Sequence, residues 1–331
     1  PHSVPMASEV LTRPNDGSVR LKPLGLEKVP TKQWNNNRSK EELLRISELR
    51  GDQPYLTRAE TYEYRNTFYQ NLCLNILKDG YHRTFSELFH LISKQERARH
   101  EAGPDSILWH QTSLNLQKEK LELLRLELCS AEDFTRMYDY EGAHNCYFRL
   151  AKYFADHPDD KWLSDHFYSY CLDAALKIED DGRFRAEAHY HLGKTLEKNG
   201  DYNQALNHFK EFYKLCVNKV WYDIDEQKLH LKSCEELARV FTAVSDLMAP
   251  DDANRLMYCK DAHEMAKESE NKKLEGQCGY RLGLAYEQLG KPDTALLYLR
   301  GFYELSKNIN DDENLGFACE AMAKAFERQG K

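Results

Sequence analysis

"AEAHYHLGKTLEKNGDYNQALNHFKEF" (residues 186–212) contains a Gly-Lys-Thr of the kind found in phosphate loops. It also sets a Leu-Gly pair, a Gly-Asp-Tyr turn and a lone Ala at fixed distances from one another. A second stretch, "GQCGYRLGLAYEQLGKPDTALLYLRGF" (276–302), aligns with it without a gap. Leu192-Gly193 falls on Leu282-Gly283, Leu196 on Tyr286, Gly200 on Gly290, Ala205 on Ala295, Phe209 on Leu299 and Phe212 on Phe302. Each position has a physical task. The small residue lets a second helix cross close to the backbone of the first, and the later glycine ends the first helix by tolerating positive φ. The lone alanine is the matching contact on the second helix. The large side chains fill the remaining space, at about 1.5–3 kcal/mol each when fully buried.

This spacing resembles the tetratricopeptide repeat, a unit of two antiparallel helices, A and B, about 34 residues long. Weaker copies flank the two clear ones. "NCYFRLAKYF" supplies Leu150, Ala151 and Phe154, and "DKWLSDHFYSYCLDAALKI" supplies Phe167, Cys171 and Ala174 for a helix B. "KSCEELARVF" supplies Leu237, Ala238 and Phe241, followed by "RLMYCKDAHEMA" with Cys259 and Ala262; "LGFACEAMAKAFERQGK" supplies Met322, Ala323, Phe326 and Gly330. The small residues of helix A therefore recur at 151, 193, 238, 283 and 323. Spacings of 40 to 45 exceed the minimal repeat and predict extended loops, chiefly at 155–160, 218–227, 245–252 and 307–314. The last copy lacks a helix B, so Met322 and Phe326 would face water. A solenoid end normally avoids this with a polar cap, and the expectation is that the natural protein continues past Lys331.

Upstream of the repeats the pattern stays helical. Ser39 with Glu42 forms a capping-box pattern ahead of Leu43, Leu44 and Ile46. Residues 61–102 read as two helices. The first carries Tyr64, Phe68, Leu72, Ile76 and Leu77 on one face and stops at Asp79-Gly80; the second is capped by Thr84 ahead of Phe85, Leu88, Phe89 and Ile92. "LNLQKEKLELLRLELCSAEDFTRMY" predicts one long helix with leucines at 114, 121 and 128. No β alternation with turn signals appears, so the predicted fold class is all-α, an α-solenoid with an extended N-terminal arm. The predicted domains are 1–38 as an extended basic arm, 39–138 as a helical N-terminal region, and 139–331 as the repeat solenoid.

Composition narrows the function classes. Residues 1–40 hold seven Lys/Arg against three Asp/Glu, a net +4, which leaves −12 on the rest of a chain whose total is −8. An acidic body argues against a nucleic-acid groove, which needs clustered cations. Five of the ten prolines fall in the first 30 residues, a composition that cannot bury enough apolar surface to order itself. No apolar run approaches the ~18 residues of a membrane span. The nine cysteines form no CxxC and read as reduced, buried core residues of a cytosolic compartment.

Chemistry is sought and set aside. A phosphate loop needs Gly five residues before the glycine of Gly-Lys, where this chain has Ala188, and Gly193-Lys194-Thr195 sits mid-helix. His189 and His191 point to different helix faces, "HEMAK" (263–267) lacks the second His of a zinc-protease helix, and no calcium loop occurs. No catalytic residue, cofactor or metal is expected, and the chain is read as a non-enzyme. What remains is the concave face, lined by helix A positions 2, 5, 9 and 12. These are Asn145, Phe148 and Lys152; Glu187, Tyr190 and Lys194; Lys232, Glu235 and Arg239; Gln277, Tyr280 and Leu284. Aromatic and long charged side chains there suit a peptide or helix ligand. They do not reproduce the Lys/Asn/Arg clamp by which some repeat domains grip chaperone C-termini.

"YRNTFYQNLCLNILKDGYHRTFSELFHLI" (64–92), "DDKWLSDHFYSYC" (159–171) and the two clear repeats resemble one axonemal family of tetratricopeptide-repeat proteins. The resemblance runs from about Tyr62 to Lys331 and implies a place in the cytoplasm and cytoskeleton, in the axoneme of motile cilia and sperm flagella. It implies roles in axoneme assembly and beating, with inner dynein arm components and a MYND-type zinc-finger protein as neighbours. The basic arm is a candidate contact with the tubulin doublet. The alternative is a soluble assembly or intraflagellar transport adaptor for axonemal cargo.

Overall fold

The computed structural model describes residues 65–223, 225–249 and 252–329. The described residues fall within the unit 62–331. The basic arm, the helix led by Ser39 and Tyr64 lie outside the described residues.

Thirteen α-helices and two 3₁₀ turns account for the described secondary structure, with no strand beyond an isolated bridge between Tyr222 and Lys228. Helix α1 (Phe68–Lys78) begins with a capping box, Thr67 accepting from the Gln70 N–H while the Gln70 side chain accepts from the Thr67 N–H. It stops where Asp79 and Gly80 (φ 86°) turn the chain. Helix α2 (His82–Ala102) corrects one expectation. Thr84 does not cap it; Tyr81 occupies that position and Thr84 lies inside the first turn, buried. Its N–H and hydroxyl both donate to Glu132, at 2.8 and 2.9 Å. The free donors of the helix start are thus met by a carboxylate from another helix, a choice local sequence cannot reveal. Phe89 faces solvent at 56% exposure, so Leu88, Leu91 and Ile92, with the half-buried Phe85, form the apolar face of this helix.

Glu132 belongs to α4 (Lys118–Arg136), reached through a single helical turn, α3 (Ile107–His110). The long helix starts later than the leucine spacing predicts. Leu114 sits on a 3₁₀ turn, its N–H taken by the buried Gln95 side chain at 2.7 Å. It still enters the same core as Leu121, Leu124 and Leu128. Burial raises the Glu132 carboxyl, but the donors from Thr84 and the Arg136 charge outweigh it and lower it. Glu132→Ala would leave the Thr84 N–H buried without an acceptor. It should cost about 2 kcal/mol in urea denaturation, whereas the exposed Glu122→Ala should stay within about 0.5 kcal/mol.

The repeats follow as α5 (Tyr140–Ala155) with α6 (Lys161–Ala175), α7 (Arg183–Lys198) with α8 (Tyr202–Cys216), α9 (Leu229–Asp246) with α10 (Ala253–Glu268), and α11 (Lys272–Gln288) with α12 (Pro292–Ile309). Helix α13 (Asp312–Arg328) is a fifth helix A. Each helix packs against the next, the arrangement of a repeat solenoid. The small residues do what their spacing implied. A Cβ on Gly193 would meet the Phe209 ring at 2.7 Å, and one on Gly283 would meet Leu299 at 2.9 Å. Ala151, Ala238, Ala205 and Ala295 are fully buried. Gly200 (φ 86°) and Gly290 (φ 70°) make the turns between helices A and B. One core joins α1, α2 and α4 to the first repeat and reaches Leu192 of α7, and a second spans α7 to α11.

The loop expected at 307–314 shrinks to Asn310-Asp311. Asn310 adopts a left-handed conformation (φ 57°) that ends α12, and Asp311 immediately caps α13 by accepting from the Asn314 N–H. The extra length of this repeat lies instead in helices of 17 and 18 residues. The expected loops after α5, α8 and α9 are present, and one more, 176–182, separates α6 from α7. On α13, Ala323 is exposed because no helix B crosses it, while Met322 and Phe326 are half-buried against Leu296, Leu299, Ala321 and Ala325. Seven cysteines are buried and Cys129 is half-buried; Cys319, on the uncrossed side of α13, is exposed, against the expectation of a core thiol.

Candidate partner-binding surface

Helix A of each repeat contacts helix A of the next. Phe148 on α5 meets His191 on α7 at 5.1 Å between rings, and α9 touches α11 as α11 touches α13. The twelve candidate residues lie on these helices, but in different states. Asn145, Lys152 and Gln277 are exposed; the other nine are half-buried.

Phe148 belongs to an aromatic stack. His191 lies flat on Tyr168 (5.0 Å, 1° between planes) and edge-on to Phe148 and Tyr190. Burial, then the nearby Lys232, His144 and Lys152, hold the His191 imidazole down to about 4. Its neighbour in sequence, His189, faces elsewhere and sets its Nδ1 3.0 Å from His208 Nδ1. Tyr190 packs against Phe212 and carries the Lys232 ammonium 4.6 Å above its ring, a cation–π contact. Burial lowers the Lys232 ammonium, but its bond to Asp223 (2.8 Å) and the Tyr190 ring raise it overall.

Lys194 and Arg239 form a knot of charge with Glu197 and Glu236. Lys194 Nζ lies 3.3 Å from Glu236, and Arg239 donates to both Glu197 and Glu236. Burial, with the like charges of Arg239, Lys198 and Lys232, holds the Lys194 ammonium down to about 8. The Gly-Lys-Thr is thus regular helix with a buried Thr195, and its lysine is engaged by carboxylates. Glu187 pairs with Arg183 at 2.9 Å, and Glu235 accepts from Asn271 (2.9 Å) and Gln227 (3.2 Å). Tyr280 packs against Phe302 with ring centres 4.9 Å apart, and Leu284 joins it in the core between α11 and α13. These two contribute mainly to packing between repeats.

Position counting places the twelve candidates on the A helices but does not identify their partners. Tyr168 comes from a helix B, Glu236 is the immediate neighbour of a candidate, and Asp223 lies in the 217–228 loop; none occupies a repeat position that spacing could flag. The face offers a pocket of about 240 Å³ bordered by Glu235, Glu236, Arg239, Asn271 and Gln277. A second hollow of about 590 Å³ lies beside Arg281, Leu284 and the exposed Phe317. Both mix charge with apolar surface, as peptide-binding clefts do.

Residues 186–218 and 277–306 each match the tetratricopeptide repeat. The fold is a tetratricopeptide-repeat solenoid. The chain is also similar to proteins called tetratricopeptide repeat protein 29. That of Macaca fascicularis is 37% identical over 278 residues, 83% of this chain and 58% of the relative. That of Homo sapiens is 36% identical over 279 residues, with the same shares. The one from Trypanosoma brucei brucei is 23% identical over 262 residues, 78% of this chain and 51% of the relative. The chain thus spans a little over half the length of the curated relatives it matches. No described helix is long and apolar enough to cross a membrane.

Proposed function

We propose that the chain is a non-enzymatic axonemal scaffold that docks inner dynein arm components, or their neighbours, on the ciliary doublet. The coarser reading, a tetratricopeptide-repeat scaffold for protein interaction, rests on the fold and the repeat matches. The observation that carries the finer one is the reach of the similarity to tetratricopeptide repeat protein 29, 83% of the chain, far beyond the two matched repeats. The axonemal setting and the neighbours, a MYND-type zinc-finger protein among them, come from that family resemblance. In this reading residues 139–331 carry the docking face and the basic arm, 1–38, reaches toward the acidic surface of tubulin.

Asn145, Lys152 and Gln277 present exposed side chains to a partner, while Tyr190, Lys232, Lys194 and Arg239 give the face its shape and charge pattern. Lys194 is a poor site for charge reversal, because a carboxylate there would confront Glu236 and Glu197. Lys152 is the better one: it is exposed and makes no ion pair among the described residues. Lys152→Glu should leave the melting temperature unchanged and lower retention of the chain on demembranated axonemes. Equal retention would remove the concave face as the docking surface. Detergent and salt extraction of cilia tests the setting itself. A scaffold stays with the axoneme, and release with the soluble matrix would favour an assembly or transport adaptor instead.

A further inference from the structure

Where α8, α9 and α10 meet, three side chains of different donor chemistry converge. His230 and Cys234 stand four residues apart on α9 and so share one face. Glu268 is the last residue of α10. One donor atom from each of the three lies within 4.8 Å of the others, and His230 Nε2 is 3.1 Å from Glu268 Oε1. Tyr213 on α8 donates its hydroxyl to the same carboxylate, 3.1 Å from both oxygens.

We propose that His230, Cys234 and Glu268 form a binding site for a zinc-class divalent cation that braces α9 against α10 in the third repeat. A nitrogen, a thiolate sulfur and a carboxylate oxygen are the donors such ions take. In a tetrahedron with bonds of about 2.0–2.3 Å, neighbouring donors lie about 3.3–3.7 Å apart. The His–Glu separation already approximates that edge. Closing the rest of the triangle requires a side-chain adjustment of about 1 Å or slightly more, which the exposed Glu268 can make. Cys234 is fully buried and held by its helix, so it forms the fixed floor of the site. The side of Glu268 open to solvent is the entry path and the place for a water as fourth ligand. Tyr213 acts as the outer partner that orients a ligating carboxylate.

A hydrogen-bonded Tyr–Glu–His set explains only part of this arrangement. It gives the buried Cys234 thiol, which lies within reach of both other donors, no role. On binding, Cys234 releases its thiol proton to solvent as the sulfur–metal bond forms. Because the thiol must lose its proton to ligate, affinity should rise with pH. No CxxC or paired-histidine spacing marks these residues in the sequence, because they come from two helices.

Cobalt(II) added to the full chain under reducing conditions tests the site. One ion per chain should bind, with a thiolate-to-cobalt absorption band that zinc displaces. Cys234→Ser should abolish the band. Glu268→Gln, at an exposed position that leaves the fold intact, should weaken binding about tenfold. Cys319→Ser, which removes the exposed thiol, should change nothing. Absence of a thiolate band would overturn the proposal, as would a band that survives Cys234→Ser or disappears with Cys319→Ser. His230→Gln, monitored for helicity by circular dichroism, separates loss of a ligand from loss of folding: a folded variant that keeps wild-type affinity also overturns the site.

Discussion

Gly193→Leu is expected to destabilise the chain by about 3 kcal/mol or more. Even a lone Cβ would sit 2.7 and 2.8 Å from two atoms of the Phe209 ring, closer than real contacts allow. The ring cannot yield, because Phe209 is fully buried in the core shared with Ala205, Phe212, Phe241 and Val244. A leucine would either force α7 and α8 apart or drive the ring into the next repeat. Urea denaturation followed by far-ultraviolet circular dichroism reads the loss, and an unchanged midpoint would show that the close approach at Gly193 carries no load. Phe209→Ala alone should cost about 3–5 kcal/mol through the cavity it leaves. In the double variant the leucine can enter that space, so the two losses should fall short of additive by about 1–3 kcal/mol. Independent, additive losses would contradict the contact.

Acidification is the second large effect. His189 and His191 both titrate near about 4 in the folded chain, each held down first by burial and then by neighbouring cationic groups. In the unfolded chain a histidine titrates near about 6.5. Between those values the unfolded state binds more protons, so stability rises with pH through this window. The contribution is fully present above about pH 6.5 and is lost as pH falls toward about 4. For His191, stacked between Tyr168, Phe148 and Tyr190, the loss approaches about 3 kcal/mol. For His189, which keeps more solvent contact, it is smaller. Denaturation midpoints measured from about pH 7 down to pH 5 should fall steadily. His191→Phe, which keeps a ring on Tyr168 and cannot be protonated, should reduce that slope, the remainder coming from His189 and the other imidazoles lowered first by burial, His144, His208 and His263. A slope unchanged in this variant would mean that other groups drive the acid sensitivity.

Much of the fold was legible because a repeat states its own geometry more than once. Gly193 and Gly283, Gly200 and Gly290, Ala205 and Ala295 align without a gap, and a residue type kept at matched positions in one chain reports a packing constraint. These positions set the register of α7 with α8 and of α11 with α12. Termini were less legible. Thr84 has the chemistry of a helix cap, yet Glu132, far along the chain, takes both its donors. The spacing to Ala323 implied a long loop, but Asn310 and Asp311 close the turn in two residues and the helices absorb the difference. The site was half legible. Periodicity selects which helix face a residue occupies, but not whether its charge is already taken. Lys194 is bound to Glu236 and Lys232 to Asp223, whereas Lys152 is free for a partner.

By itself the sequence determined an all-α chain of stacked helix pairs, the positions where helices cross closely, and an acidic body preceded by a basic segment. Helix crossing depends on side-chain size at short, repeated intervals, which a linear pattern records. Tertiary structure decided which charges neutralise one another, which imidazoles are stripped of water, and that His230, Cys234 and Glu268 converge. Those outcomes depend on distances between residues from different helices. Burial there lowers the local dielectric, and neither distance nor burial is written in any one stretch of chain.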